Sequence, residues 1–226
     1  MRMRVGKSLL CGDEGDDSLK VPSMGGVGEA NQVMNPPKVS TEQLIALHGF
    51  FAEAAAEGEV SLADLSGCET DVDVEEVRAT ALAEFGELGL GLSEDLIAGV
   101  VGRLEGVMPG SLSLVLDPDE ALLWSQLGDR SDPIATYVSF GRALLEGIAS
   151  AFGELLDGEA SFAGAVLAES PELAMLVNTH APSDTVVLSA RLRIDARDEI
   201  FTAVSHLLVE PKYLGRLLSA LSAAIH

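Results

Sequence analysis

The chain has 226 residues, with 14 Lys+Arg against 36 Asp+Glu, a formal net charge of −22 and 47% apolar residues. Such a charge repels a phosphate backbone and argues against nucleic-acid binding, and no apolar run approaches the roughly 18 residues that a membrane span requires. What remains is a chain long enough to bury the core of one domain, read as cytoplasmic because the N-terminal MRMRVGKSLLCGDEGDD has only a short apolar run and makes a poor secretory signal.

Residues 1–38 are rich in Gly, Asp, Ser and Pro, show no apolar periodicity and read as a disordered leader that ends at Pro36-Pro37. Either Met1 or Met34 can be the true start, since MNPPKVSTEQL runs straight into a helix cap. A domain is expected over 39–226. Ser40 with Gln43 offers a capping box. The helix that follows should bury Leu44, Leu47, Phe50, Phe51, Ala54 and Ala55 and leave Ile45, Gly49 and Ala52 on its other side. Its expected end is Glu57, with Gly58 as the stop, before a separate helical piece at 62–65 that ends at Gly67. TDVDVEEV, 70–77, alternates with the period of a strand that has one wet face.

Residues 82–92, with Gly86, Gly89 and Gly91, read as a short helix or a loop. A hairpin follows, VVGRLEGV and SLSLVL about a turn at Pro109-Gly110. Asp117-Pro118-Asp119 ends it and opens a helix. From Ile134 a long helix places Phe140, Leu144, Ile148, Phe152 and Leu155 in one apolar stripe, with Arg142, Glu146, Ala149 and Gly153 opposite. The stretch from Ser161 to Met175, interrupted by Pro171, has no clear pattern. Residues 185–194 and 200–209 form a second hairpin around a turn at 195–198. A last helix opens at Glu210-Pro211 with Leu214, Leu217, Leu218 and Leu221 inward.

Cys11 and Cys68 have neither CxxC spacing nor disulfide clustering. The four histidines, His48, His180, His206 and His226, have no metal-ligand spacing, so no metal or cofactor is expected. No Gly-rich phosphate loop or nucleophile elbow is present. The order helix, strands, hairpin, helix instead occurs twice, at an offset of about 95 residues, with LVLDPDEALLWSQL and HLLVEPKYLGRLLSAL in matching places. That predicts a two-layer, pseudo-twofold α/β domain whose antiparallel-rich sheet carries the two long helices on one face.

Over about residues 40–222 this layout resembles the CheC/CheX/FliY group of chemotaxis phosphatases and the related middle domain of FliM. QLIALHGFFAEAAAEGEVSLADLSGCETDVDVEEV is similar to the first half-motif helix and strand, and GRLEGVMPGSLSLVLDPDEALLWSQL to the hairpin and helix that follow. The resemblance implies a receiver-docking helix face, with an acidic or Ser residue, Glu four later, Asn three after that, and a Pro further along. The matching positions are Ile45, Gly49 and Ala52, with Glu75 in the place of the Pro, and in the second half Arg142, Glu146 and Ala149, with Pro171 one position short. Only Glu146 matches. An Asn amide would orient the attacking water on a phosphoryl group, and alanine cannot.

Two function classes follow from the resemblance. One is a CheC-like module, monomer or homodimer, that binds a response-regulator receiver domain or a chemotaxis/flagellar protein through those six residues without hydrolysis. The other is a phosphatase of a phospho-aspartyl (CheY-like) response regulator that uses Glu146.

Overall fold

Ser40 opens the first helix as expected: its Oγ accepts from the Gln43 N–H at 3.2 Å, and Gln43 Oε1 accepts from the Ser40 N–H at 2.8 Å. Helix α1 then runs Thr41–Ser66 without a break and ends at Gly67, whose left-handed backbone (φ 63°) lets its N–H reach the Ala63 carbonyl. The expected stop at Gly58 and the separate piece at 62–65 are therefore corrected. Gly58 sits inside the helix for a tertiary reason, because the second long helix, α4 (Pro133–Leu155), crosses α1 there almost backbone to backbone. A Cβ on Gly147 would lie 2.5 Å from the Gly58 nitrogen, and one on Gly58 would lie 2.9 Å from the Leu144 Cα. Phe50 and Phe51 meet Phe152 further along, so the two helices are antiparallel.

The structure is a computed structural model that describes residues 39–85, 98–128, 131–169, 174–175 and 184–224. The leader, the glycines at 86–91 and Pro171 lie outside the described residues. Strand β1 (Thr70–Ala81) leads into a short turn of helix, α2 (Leu82–Phe85). The first hairpin is β2 (Ala98–Gly106) and β3 (Gly110–Leu116), followed by α3 (Pro118–Ser125) behind Asp117. After α4 the patternless stretch supplies a strand, β4 (Ala160–Ala168). The second hairpin is β5 (Val186–Ala196) and β6 (Glu199–Val209), and α5 (Pro211–Ala224) closes the described chain. Its turn is tighter than the sequence implied. Ala196 pairs with Glu199, and Arg197 and Asp198 both take positive φ, the type I′ geometry that matches strand twist.

The six strands among the described residues form one antiparallel sheet in the order β1-β5-β6-β3-β2-β4. Read from either end, that order exchanges the two halves of the chain: β1 matches β4, β5 matches β2, and β6 matches β3 at the centre. This is the pseudo-twofold expected from the duplication. Even the edge irregularities correspond, with a bulge between Val74 and Glu76 in β1 and another between Ala163 and Val166 in β4. Helices α1 and α4 share one continuous core with Val72, Leu112, Leu114, Leu188, Leu192, Ala203 and Leu207 of the sheet. Trp124 of α3 is fully buried edge-on to Tyr137 and Phe140 of α4.

The opposite face of the sheet carries a smaller core of Phe85, Val101, Met175, Val187 and Leu208. Beside it lies His206, buried, its Nδ1 2.9 Å from Ser189 Oγ and its ring edge-on to Phe85 with centroids 5.0 Å apart. Loss of hydration lowers its pKa to about 3, so the imidazole is neutral.

Candidate partner-docking face

In α1 the residues opposite the core are presented to solvent. Ile45 is 68% exposed, and a Cβ added at Gly49 would meet no heavy atom within 4 Å. Ala52 is half-buried and touches the core with part of its methyl surface. Because α1 does not stop at Gly58, this face continues through exposed Ala56 to Val60, which is 66% exposed. Ile45, Gly49, Ala52, Ala56 and Val60 fall at spacings of four, three, four and four, a single stripe along the helix. The family pattern marks only Ile45, Gly49 and Ala52; the helical spacing adds Ala56, and the continuation of α1 past Gly58 adds Val60. Exposed Glu53, Glu57 and Asp64 lie along one side of the stripe.

The corresponding set on α4 is not one face. Arg142 and Glu146 are exposed and bound to each other, with Nε 2.7 Å from Oε1 one helical turn apart. Ala149, expected beside them, is buried at 1% exposure, and Gly153 is buried as well. The helix is packed on two sides, against α1 through Gly147 and against the sheet through Gly141, which abuts Val100. Its dry arc is therefore wider than an amphipathic stripe on a single surface, and beyond the first turn, where Pro133, Ile134 and Ala135 are exposed, the exposed residues are Ser139, Arg142, Glu146, Ser150 and Glu154.

Since the helices are antiparallel, Arg142 and Glu146 stand near the level of Gly58, thirteen residues along α1 from Ile45, a helical rise of about 20 Å. The two sets do not converge on one centre. Neither contains an amide or a hydroxyl nucleophile, and Glu146 is the one carboxylate in the two sets. Among the described residues no group of three His, Cys, Asp or Glu is arranged to hold a metal. An open depression of about 740 Å³ between the start of β1 and the β5–β6 turn is lined by Glu59, Glu69, Asp71, Asp195, Asp198 and Glu199 with Arg193 and Arg197. It lies at the end of the sheet and shares no residue with the α1 stripe.

No protein-family model matches the chain, and no curated protein matches it. Solved structures do. FliY from Thermotoga maritima superposes with a TM-score of 0.63 at 11% identity, over 83% of this chain and 99% of that one. The fold is that of FliY and the FliM middle domain. FliM in its complex with SpeE from H. pylori gives a TM-score of 0.57 at 14% identity, over 82% of this chain and 97% of that one. FliM in its complex with FliG from the same organism gives 0.55 at 12%, over 80% and 100%. Among the described residues no helix is long and apolar enough to cross a membrane.

Proposed function

We infer that this chain is a non-catalytic docking protein of a chemotaxis or flagellar assembly and that its partner binds the outward face of α1. The observation that carries the reading is that stripe: five uncharged positions at helical spacing, running from exposed Ile45 to exposed Val60 and bordered by Glu53, Glu57 and Asp64, on a chain of net charge −22. A helix face that only meets water has no reason to be apolar, whereas an interface centre is poor in charge with polar residues at its rim. Two FliM structures of this fold are complexes, one with FliG and one with SpeE, which supports a protein partner. Candidate partners are a response-regulator receiver domain or a FliG-like motor protein. The site residues are Ile45, Gly49 and Ala52, extended to Ala56 and Val60. Arg142 and Glu146 form a separate, charged contact.

Phosphatase activity toward a phospho-aspartyl receiver is the second reading, favoured by the exposure of Glu146. The water-orienting positions are Ala52 and Ala149, and Ala149 is buried, so the expectation is little or no acceleration. Calorimetric titration of the chain with a receiver domain and with a FliG-like protein from the same genome tests docking, with Ile45→Asp and Glu146→Lys beside the wild type. Loss in Ile45→Asp alone places the partner on α1. Loss in both places it across the helix pair. No loss in either folded variant refutes the docking face. Dephosphorylation of the receiver accelerated more than about a hundredfold, on the order of 2.7 kcal/mol, refutes the non-catalytic reading.

A further inference from the structure

The charges of the chain are unevenly matched. Residues 39–77, which hold α1 and most of β1, contain no Lys or Arg. Among the described residues, Arg78, Arg103, Arg142, Arg191, Arg193 and Lys212 each pair with a carboxylate outside α1. The other described cations, Arg197 and Arg216, donate to the backbone carbonyls of Ser66 and Leu156 at 2.8 and 2.9 Å. Glu53, Glu57 and Asp64 are therefore left without a cation among the described residues, and all three are exposed. They stand on one flank of the stripe from Ile45 to Val60, so an apolar row and an unpaired acidic row run side by side along α1.

The two rows together select a partner. Ile45, Gly49, Ala52 and Ala56 follow the four-three-four spacing by which paired helices meet, and charges beside such a seam decide which helix is accepted. Between exposed Ile45 and Val60, about 22 Å apart along the axis, the stripe carries only Gly49, Ala52 and Ala56, small enough for a second helix to approach closely. An acidic flank on that helix would be repelled, whereas a basic one meets its counter-charge. We propose that the segment received on α1 is an amphipathic helix of another protein, with aliphatic side chains toward Gly49, Ala52 and Ala56 and Lys or Arg on the flank that faces Glu53, Glu57 and Asp64. The inference rests on the docking reading above and adds the chemistry of the partner. A second copy of this chain does not fit, because its α1 offers no cation and it brings the same net charge of −22.

Fluorescence anisotropy of a labelled Leu/Lys amphipathic peptide of about 14 residues, about 21 Å long as a helix, tests the inference on the full chain, with a Leu/Glu peptide of the same pattern beside it. The Leu/Lys peptide should bind and the Leu/Glu peptide should not. Glu53→Gln, Glu57→Gln and Asp64→Asn combined should weaken binding about tenfold or more and flatten its dependence on salt. Glu84→Gln, Asp119→Asn and Glu159→Gln remove the same charge from exposed positions elsewhere and should change it less than about threefold. Ile45→Ser with Val60→Ser, which leaves the charge unaltered, should weaken it about tenfold, as attraction by charge alone would not. All these positions are exposed, and the circular dichroism melts should match the wild type. No binding of the Leu/Lys peptide up to about 100 µM chain overturns the proposal. So do equal losses in the two charge-removed variants, equal binding of both peptides, or binding that the serine variants leave unchanged. In the titrations with a receiver domain and a FliG-like protein, a partner lost in Ile45→Asp but kept in the α1 carboxylate variant overturns this inference and leaves the docking face standing. A partner kept in both removes the docking face as well.

Discussion

Burial of His206 makes the stability of the fold depend on pH in a direction that can be isolated. In the folded chain the imidazole is 2% exposed and its pKa lies near 3, against 6.5 for an ordinary histidine. The folded value is the lower one, so the unfolded chain takes up the proton first as the pH falls. Above about pH 6.5 both states are neutral and the group contributes no pH dependence. Between 6.5 and 3 the unfolded state gains about 1.4 kcal/mol per pH unit, which makes about 2 kcal/mol at pH 5. Urea unfolding at pH 7 and pH 5 should be compared for the wild type and His206→Asn, whose amide can still bond to Ser189. The variant begins less stable through lost packing, but all its other titrating groups are those of the wild type. The gap between the two proteins should therefore narrow by about 2 kcal/mol at pH 5. If the two lose or gain stability in parallel across that range, the imidazole is not held neutral by the fold.

Gly147→Ala should destabilise the domain by about 1–3 kcal/mol in urea, because the new methyl meets the backbone of α1 at Gly58, although alanine is the better helix former. Arg142→Ala should change stability by less than about 0.5 kcal/mol, since its ion pair with Glu146 is roughly half exposed on both sides. Ser40→Ala should cost about 1 kcal/mol by thermal or chemical melting through loss of the capping box. Ile45→Asp should leave the unfolding midpoint close to that of the wild type while it abolishes titration by an α1-docked partner, because the side chain is 68% exposed.

What could be read from the residues was what local chemistry decides. The Ser40/Gln43 box, the Pro-led starts of α3 and α5 and the two hairpins each depend on a few adjacent residues, and all appear where the sequence places them. Gly58 could not be read correctly, because a helix stop and a close helix crossing leave the same single glycine, and only Gly147 on the other helix distinguishes them. Ala149 failed for a related reason. Its spacing from Glu146 is right for an exposed face, but alanine carries no polarity to show which side of the arc it occupies, and packing on two sides turned it inward. Strand β4 lacked the alternation that marked β1, since its small residues and its bulge blur the period of two. The duplication did hold that information, because a second copy of α1 calls for a second copy of β1 after it.

The palindromic sheet has a consequence for how the chain reaches this state. Each half lends its outermost strand to the other half: β1 lies beside β5 and β4 beside β2. As the chain leaves the ribosome, α1 and β1 emerge with no neighbour for β1 until β5 appears more than a hundred residues later. The first half is thus a waiting state with an open strand and a bare helix face, and neither half is an independent folding unit. A nascent chain arrested at about residue 128 should remain sensitive to protease along β1, and protection should appear only once β5 and β6 have cleared the exit tunnel.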